Sequence, residues 1–553
     1  MADQGEGPCQ GAPIAPDCKH LVVVVEDGSL PLAPGTEYAL VVHAGLRAAD
    51  GGPVRPMLIG HFMRSEHPLA VDGVTQLESV DDSLATRLEH SRAKVAPLLD
   101  TMGRGDVITA WPFTTLAARA SVEEAIAMAG TLQTPVTIDD VSWQTLDLLN
   151  RDDAFEELFP GTLAAVVRDV YGLRLAGVER IVEGTIKTPY LLDRVTRRFR
   201  EDGGHELDTV DFVMTIPETA GPNQPAPVVM FAHAIVTDRR FMLMVAGELA
   251  QKGFASIAID LPFHGKRTVC VERSLIAIPN FLSDELKELL DYWDNLIMLP
   301  PCMSGAEASC SPIGECLDAN GNPEPFNNFL TIDGKPAVMD MKPASGAAFL
   351  DIGDIPHISD HFLQALIDLG ALKRVLQQGD WEQATGYPIR TDEIYFAGQS
   401  LGAILGAVYV AADPDVARAV LNVPGADMVD LFMDSTYFAP HFDDFFLREQ
   451  IPHGSYEQER LLNVARWLID AVDPHTVAHL YRDNGTPTLI QIDSGWPDGD
   501  IIIPNRTTRV LQRVSGLPMR EYSSILHADL VVPLLGDAML GDMAAFLAGE
   551  ISR

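Results

Sequence analysis

The residues best suited to chemistry are 398–402, Gly-Gln-Ser-Leu-Gly, in which Ser400 lies between two glycines. An apolar stretch at 393–397 precedes them and a long apolar run, Leu401–Ala412, follows, which predicts a strand, a tight turn and a helix. The glycines leave room for such a turn, which exposes the serine hydroxyl above the sheet edge. At the helix N-terminus the Leu401 amide is free to bind a developing oxyanion. Ser400 is the predicted nucleophile.

A serine nucleophile needs a general base, and with this kind of turn the chain order is Ser, then an acid, then His. Five histidines follow Ser400 in the chain: His441, His453, His475, His479 and His527. The first four fall in a predicted helical insertion, whereas His527 follows the last predicted strand (519–524) and precedes the final predicted helix (534–548). We therefore predict His527 as the base. His475 and His479 are the alternatives.

The acid that orients the base is expected after the preceding strand, residues 487–492, where the chain reads DSGWPDGDIIIPN. Asp493, Asp498 and Asp500 all qualify by position. Asp500 precedes an apolar run that ends in a proline, a run that would anchor the loop and direct the carboxylate toward His527. Asp500 is the first choice, and its role would be to fix the imidazole tautomer and stabilise the imidazolium.

A second oxyanion donor is expected in the loop after the apolar strand 227–232, which continues as His233-Ala234-Ile235. The backbone amide of Ile235 is the first choice and that of Ala234 the second. Many hydrolases with this turn carry glycine where Ala234 stands, so the local backbone departs from the usual pattern. His233, and His264 in the next loop, are expected to be structural.

The elements that must position these residues begin at about residue 184. From there, predicted strands and helices alternate, which is typical of a mostly parallel sheet with helices on both faces. Two segments interrupt the alternation. Residues 268–355 contain four of the six cysteines, and residues 427–484 are helical and rich in Phe and Leu, the usual place for a cap. The catalytic domain is therefore predicted to span 184–553.

The N-terminal part differs from this pattern. Residues 1–116 are predicted to form a small β-rich module with one helix at 79–99 and a closing strand at 107–114, and residues 117–183 a helical connecting region. The stretch 30–53 (LPLAPGTEYALVVHAGLRAADGGP) resembles bacterial immunoglobulin-like modules. Such modules are more often spacers or adhesion units than catalytic domains.

Several motifs together resemble those of bacterial exported α/β-hydrolases of the virulence-factor lipase group. They are the module just described, AWPFTT at the closing strand, VEGTIKTPYLLD before the sheet, GQSLG and the acid loop ending in IIIPN. The resemblance covers most of the chain thinly. It implies an α/β-hydrolase fold and carboxylic-ester hydrolysis of lipid-like or short-chain acyl substrates, without fixing the acyl length.

Composition limits the class of protein. The 553 residues include 47% hydrophobic and 21% charged residues, and 40 Lys and Arg against 78 Asp and Glu give a net charge of −38. So acidic a chain is expected not to bind nucleic acid. No stretch is apolar for long enough to predict a membrane span. The polar run 318–322 lacks the spacing and the downstream Glu of a calcium loop, and a polar turn is the better interpretation. No helical metal-binding motif, phosphate-binding loop or dinucleotide motif is present, so neither a metal nor a cofactor is expected.

Six cysteines in two loop-like clusters predict disulfide bonds and an exported protein: Cys9, Cys18, Cys270, Cys302, Cys310 and Cys316. Cys9 and Cys18 would pair locally, and the other four allow three pairings. Residues 1–16 lack the apolar core of a signal peptide, so we expect the printed chain to start after a removed leader. Reduced thiols in a cytoplasmic protein are the alternative.

Three classes of function are consistent with these residues. The leading prediction is a metal-independent serine esterase or lipase. The same residues would also serve an amidase, a peptidase or a phospholipase. A non-catalytic adhesion protein on a hydrolase scaffold is the third, but such a protein has no need for a well-placed serine, histidine and aspartate.

Overall fold

The computed structural model describes residues 32–47, 51–56, 58–144, 175–271, 302–327, 331–332, 335–336, 342, 344–350, 355–495, 499–523, 527, 530 and 536–552. The chain divides into two compact units, one formed by Leu32–Ala118 and the other containing Arg119–Arg553. The division lies two residues beyond residue 116, at which the sequence predicts the N-terminal module to end.

The unit at 32–118 contains small antiparallel strand pairs and two helices. Its elements are β1 Glu37–His43, α1 Leu58–Met63, β2 Ala70–Val71, β3 Val74–Thr75, α2 Asp82–Met102 and β4 Val107–Thr114. Strand β1 pairs with β4, and β2 pairs with β3. The predicted closing strand at 107–114 is confirmed.

Helix α2 begins where the Asp81 carboxylate accepts a hydrogen bond from the Leu84 amide at 2.8 Å, which satisfies a free amide of the first turn. Val95 and Leu99 of this helix are fully buried and pack with β4. The helix predicted at 79–99 is thus confirmed. The immunoglobulin-like character of the module remains a prediction.

The second unit contains a nine-stranded sheet. Its strands are β5 Asp139–Gln144, β6 Val178–Tyr190, β7 Glu206–Pro217, β8 Ala226–Ala232, β9 Ala255–Ile259, β14 Ile389–Gln399, β15 Val416–Asn422, β16 Thr488–Asp493 and β17 Met519–Tyr522. Between β9 and β14 lie two small hairpins, β10 Ser309–Cys310 with β11 Cys316–Leu317, and β12 Thr331–Ile332 with β13 Lys335–Pro336. The order in the main sheet is β17-β16-β15-β14-β8-β9-β7-β6-β5.

Strand directions confirm the predicted fold class, a mostly parallel α/β-hydrolase sheet flanked by helices. Strands β9, β8, β14, β15, β16 and β17 run parallel to their neighbours in that series. Strands β5, β6 and β7 add an antiparallel meander at the other edge. The meander reaches into the range 117–183, which the sequence predicts to be a helical connection, because β5 and the first residues of β6 already belong to the sheet.

Helices in this unit cover the sheet and form the cap segment. They are α3 Ala118–Thr131, α4 Leu243–Gln251, α5 Ile355–Gln378, α6 Trp381–Thr385, α7 Leu401–Ala412, α8 Met428–Asp434, α9 Ala439–Arg448, α10 Tyr456–Ile469, α11 Pro474–Val477, α12 Tyr481–Asn484, α13 Asn505–Ser515 and α14 Asp537–Leu547. The cap predicted at 427–484 therefore corresponds to α8–α12. Among the described residues no helix is both long and apolar enough to cross a membrane.

The central strands are apolar on both faces because helices pack against both. Every residue of β9 and β16 is buried. On one face Val229 and Phe231 of β8 belong to the same apolar cluster as α4 and α14. On the other face Phe396 of β14 stacks on Tyr409 of α7, with ring centroids 5.7 Å apart. Ala397, the residue after Phe396 in β14, belongs to the cluster on the first face. Successive residues of one strand thus bury against different helices.

Disulfide bonds link the described part of the insertion at 268–355. Cys270 is bonded to Cys310 and Cys302 to Cys316, which selects one of the three pairings that the sequence leaves open. Cys9 and Cys18 lie outside the described residues. The two bonds are adjacent, since the sulfurs of Cys270 and Cys302 are 3.6 Å apart.

Because those two sulfurs are so close, a test of the pairing must distinguish it from an alternative Cys270–Cys302 bond. We expect peptide mapping of the unreduced protein to find Cys270–Cys310 and Cys302–Cys316. Reduction should lower the free energy of unfolding by about 3 kcal/mol or more, because the unfolded chain gains conformational entropy when the bonds are broken. Recovery of a Cys270–Cys302 peptide, or of alkylated Cys310 without reductant, would contradict the pairing.

Candidate active site

Ser400 lies in the turn between β14 and α7, and its backbone has an unusual conformation. Its φ is 55° and its ψ is −119°, a region that residues with a side chain rarely adopt. The turn is held on both sides. The Ser400 amide donates to the carbonyl of Asn422 at the end of β15, and the Ser400 carbonyl accepts from the amide of Ile404 at 2.9 Å. The strain at Ser400 is therefore opposed by hydrogen bonds to the sheet and to the helix.

The glycines that flank Ser400 are required by close backbone packing. A Cβ on Gly398 would lie 2.3 Å from the carbonyl oxygen of Gly402, and a Cβ on Gly402 would lie 2.0 Å from the carbonyl oxygen of Ala232. Both distances are far below van der Waals contact. Helix α7 therefore starts directly against the end of β8, and this places the Ser400 side chain at the end of the parallel strands.

The imidazole of His527 lies between Ser400 and Asp500. Its Nε2 is 2.6 Å from Ser400 Oγ, and its Nδ1 is 2.5 Å from Asp500 Oδ2. Because the carboxylate accepts at Nδ1, that nitrogen carries the proton and Nε2 is the acceptor for the serine hydroxyl. The structure thus brings together the three side chains that the sequence selects from distant positions.

The Asp500 carboxylate is fixed by its own loop. Its second oxygen, Oδ1, accepts hydrogen bonds from the amides of Ile502 and Ile503 at 2.8 and 3.0 Å, and its side chain is only 1% exposed. Of the two alternatives, Asp493 is the last residue of β16, and its Oδ1 accepts from the Gly495 amide. Asp498 lies outside the described residues. Asp500 is the aspartate that contacts His527.

The alternative histidines occupy other places. His475 is in α11, and its amide donates to the Asp473 carboxylate, while the ring of His479 contacts the carbonyl of Thr476 at 3.0 Å. His233 and His264 are completely buried. His233 Nε2 accepts from the Leu261 amide, and burial lowers the pKa of His233 to about 4, so this ring is neutral and links two loops.

The loop after β8 brings Ile235 to Ser400. Ile235 and Leu401 line the same cavity as Ser400. The next residue, Val236, has a φ of 60°, which is strained for a β-branched side chain. Thr237 holds the loop, because its hydroxyl donates to the carbonyl of Ala234 at 2.7 Å. Strain at this position indicates a backbone that surrounding contacts hold in one conformation.

The cavity at Ser400 comprises about 390 Å³ of space that protein atoms do not occupy, a volume that includes space open to solvent. Apart from Ser400, its lining side chains are all apolar: Ile235, Leu350, Phe362, Leu401, Ile404, Met428, Leu431, Phe432, Phe438, Ile502 and Ile503. They come from the loop after β8, from residue 350 ahead of α5, from α5, α7 and α8, from Phe438 just before α9, and from the Asp500 loop. Any group bound there beside the serine is largely removed from water.

The start of the cap is held by a single carboxylate. Asp473 accepts hydrogen bonds from the amides of Asp427, Met428 and His475, at 2.8, 2.6 and 2.8 Å. It therefore satisfies the free amides at the N-terminus of α8 from outside that helix. Burial, together with the nearby Asp473 carboxylate, raises the pKa of Asp427 to about 6.

Two contacts at the site, one made by Gln399 and one by Asp473, do not follow from local sequence patterns. The Gln399 side chain donates to the carbonyl of His527 at 3.1 Å and so holds the histidine loop next to the serine. Gln399 is part of the GQSLG motif, but the motif predicts roles only for the serine, the glycines and the Leu401 amide. Nothing in the local sequence distinguishes Asp473 from the other acidic residues of the cap.

An arrangement of this kind is suited to nucleophilic catalysis. A serine hydroxyl that donates to a neutral imidazole, itself held by a buried carboxylate, can lose its proton as it attacks an electrophilic carbon. The helix N-terminus beside the serine favours negative charge.

Comparison with solved structures finds esterases among the proteins that are similar to this chain at low sequence identity. Acetyl xylan esterase from Paenibacillus sp. R4 is 15% identical, over 77% of this chain and 93% of that one, with a TM-score of 0.41. Acetyl xylan esterase 1 from Thermoanaerobacterium sp. JW/SL YS485 is 11% identical, over 78% and 93%, with a TM-score of 0.39. Est1E from Butyrivibrio proteoclasticus, with bound ferulic acid, is 14% identical, over 62% and 96%, with a TM-score of 0.32. No protein-family model and no curated protein matches the chain.

Gly402 provides a test of the packing that positions Ser400. We expect Gly402→Ala to destabilise the protein by more than about 3 kcal/mol, or to prevent folding, because its Cβ would overlap the Ala232 carbonyl. Gly541→Ala in α14 is the matched control, since nothing lies within 4 Å of that Cβ. Urea unfolding of both variants makes the comparison. Equal stability of Gly402→Ala and wild type would contradict the close approach.

The effect of Asp427 on stability at different pH values tests how the cap is attached. Its pKa in the folded protein is raised from 3.8 to about 6, so the stabilisation from its protonated form is lost as pH rises through about 6. Asp427→Asn should therefore raise the free energy of unfolding at about pH 8, by at most about 3 kcal/mol, and change it little at about pH 4. Asparagine also suits the left-handed backbone at this residue.

Asp430, in the first turn of α8, is the matched control for that experiment. Burial alone would raise its pKa, but Arg466 and Arg506 hold the pKa below its usual value. Asp430→Asn should therefore lower stability at about pH 8, the opposite sign to Asp427→Asn. Urea unfolding at both pH values decides. A lower stability of Asp427→Asn at the higher pH would contradict the raised pKa.

Proposed function

We propose that this protein is a serine carboxylic-ester hydrolase in which Ser400, His527 and Asp500 form a catalytic triad. The observation that carries the proposal is the chain of two short hydrogen bonds from Ser400 Oγ through the His527 ring to Asp500, placed at an apolar cavity. His527 lies 27 positions after Asp500 and 127 positions after Ser400 in the chain, yet the three side chains share one hydrogen-bond network. A purely structural role for Ser400 would not need its strained backbone.

In the proposed reaction, Ser400 Oγ attacks the ester carbonyl carbon while His527 Nε2 takes the hydroxyl proton. The tetrahedral intermediate collapses, the C–O bond to the alcohol breaks, and the imidazolium gives its proton to the leaving alkoxide. Water, deprotonated by the same nitrogen, then attacks the acyl-enzyme carbonyl carbon. The bond from that carbon to Ser400 Oγ breaks, Oγ takes the proton back from the imidazolium, and the carboxylic acid is released. Asp500 keeps Nδ1 protonated and stabilises the imidazolium during both steps.

The negative oxygen of each tetrahedral intermediate is assigned to the backbone amides of Leu401 and Ile235. Leu401 is the first residue of α7, so its amide has no acceptor within the helix. Ile235 lies in the loop that the strained Val236 and the Thr237 hydroxyl hold beside Ser400. Two preorganised amides of this kind contribute about 3 kcal/mol each to the transition state. The reaction needs neither a metal nor a cofactor.

The proposed substrate is an ester with an apolar acyl group, such as a lipid or a polyester, because the cavity beside Ser400 is lined by apolar side chains. The virulence-factor lipase resemblance, which rests on the sequence motifs alone, points to the same class. We also propose that the protein is exported. Two disulfide bonds in the described residues support an oxidising compartment.

The proposal predicts the effect of removing each triad member on the hydrolysis of p-nitrophenyl butyrate in the presence of a chelator. Ser400→Ala and His527→Ala should lower kcat by about 10⁴-fold or more, and Asp500→Asn by about 10³-fold or more. His479→Ala is the matched control, because its ring contacts Thr476 in the cap, and it should keep most of the activity.

The outcomes separate the classes of function. Full activity of Ser400→Ala would refute the nucleophile, and loss of activity on chelation would refute a metal-independent mechanism. A folded wild type that cleaves the matching anilide or a phospholipid, but no simple ester, would favour the amidase or phospholipase alternatives. A folded wild type inert toward all of them would favour an adhesion protein.

A further inference from the structure

A second apolar cavity lies next to the one at Ser400. The space that protein atoms do not occupy there is about 510 Å³, against about 390 Å³ at the serine, and both volumes include space open to solvent. Its lining side chains are all apolar and come from α5 and the cap: Ile355, Ile358, Val429, Phe432, Phe442, Phe445, Phe446, Leu461, Leu462, Ala465 and Ile469. No step of the proposed reaction uses this space.

Phe432 is the residue that lines both cavities. It lies in α8, is 7% exposed, and packs on Phe438 and Phe442, whose ring centroids are 5.3 and 5.8 Å away. Phe438 lines only the cavity at Ser400, and Phe442 lines only the second one. The Phe432 ring is thus the side chain that separates the two spaces.

Helix α5 extends along both cavities. Phe362 lines the cavity at Ser400, while Ile358 and Ile355, one and two turns earlier, line the second cavity. These positions share one face of the helix. Seven residues of helix correspond to about 10 Å, so the two cavities together extend for roughly that length along α5. An extended alkyl chain would contact this face along its length.

The chemistry of the occupant follows from the lining and from the order of the reaction. A cavity with only apolar walls binds apolar groups, since a buried polar group without a partner is costly. The leaving alcohol must escape to water after the first step, whereas the acyl chain stays attached to Ser400 until the second step. Enclosed apolar space beside the serine is therefore better suited to the acyl chain.

We propose that the acyl chain of the substrate extends from Ser400 past Phe432 into the second cavity, and that Phe432 sets the acyl length that the enzyme accepts. This inference rests on the proposed ester hydrolysis and adds its substrate class, esters of medium-chain fatty acids. Short acyl groups fill only the cavity at Ser400. Longer ones must pass the Phe432 ring, so its size controls their binding.

The test compares kcat/KM for p-nitrophenyl acetate, octanoate and laurate. Wild type should prefer octanoate to acetate. Phe432→Ala should raise the laurate-to-acetate ratio by about tenfold or more, because it removes the ring between the cavities. Phe432→Leu, which leaves a smaller void in the core, should shift the ratio in the same direction. Ala465→Leu narrows the second cavity and should lower the octanoate-to-acetate ratio.

Trp467→Ala is the matched control. Trp467 belongs to α10, as Ala465 does, but its side chain is 70% exposed and it lines neither cavity. Its removal should leave the ratios unchanged. If the wild type hydrolyses acetate through Ser400 and neither Phe432 variant nor Ala465→Leu changes a ratio, the inference is wrong while the proposed function stands.

A binding measurement tests the inference without turnover. Calorimetry of octanoate with Ser400→Ala should detect binding that is weakened about tenfold or more when Ala465→Leu is added. If no ester is hydrolysed by wild type, the proposed function fails, and octanoate binding still shows whether the second cavity holds an alkyl chain. Octanoate binding that Ala465→Leu leaves unchanged, or no binding at all, overturns the inference.

Discussion

The contact on which the site depends is the approach of helix α7 to strand β8. Gly402 lies so close to the carbonyl of Ala232 that no side chain fits between them, and Gly398 has the same relation to Gly402. This approach forces the turn at Ser400 into its strained conformation. The turn in turn places the hydroxyl 2.6 Å from His527 Nε2 and the first amides of α7 beside the cavity. Weaker packing at the glycines would relax all of these positions together.

The sequence predicts those parts of the fold and site that follow from local patterns. The strand and helix around GQSLG are read from their apolar runs, and the strand expected at 227–232 is observed at Ala226–Ala232. Because the site lies at one end of adjacent parallel strands, the loops after them must converge. Chain order then selects His527, and the apolar residues after Asp500 indicate a loop that the amides of Ile502 and Ile503 hold.

Features set by distant contacts could not be predicted in this way. Strand β5 (DDVSWQ) has little apolar pattern of its own and is a strand because it pairs with β6. The disulfide pairing depends on how the insertion folds. Phe432 is one of many aromatic residues in the cap, and only the packing of the cap helices around it makes it a wall that both cavities share. Asp473 likewise acquires its role when the chain returns to Asp427.

That return joins two parts of the cap that are distant in the sequence. Asp473 binds the amide of Asp427, 46 residues earlier, and also that of His475, so one carboxylate joins the start of the cap to the beginning of α11. The entropy cost of closing a loop grows only slowly with its length. A change in the length of the intervening residues would therefore add little to the entropy cost of closing this loop. Under the proposed function, Ser400, His527 and Asp500 carry out the reaction, and the cap selects the acyl group.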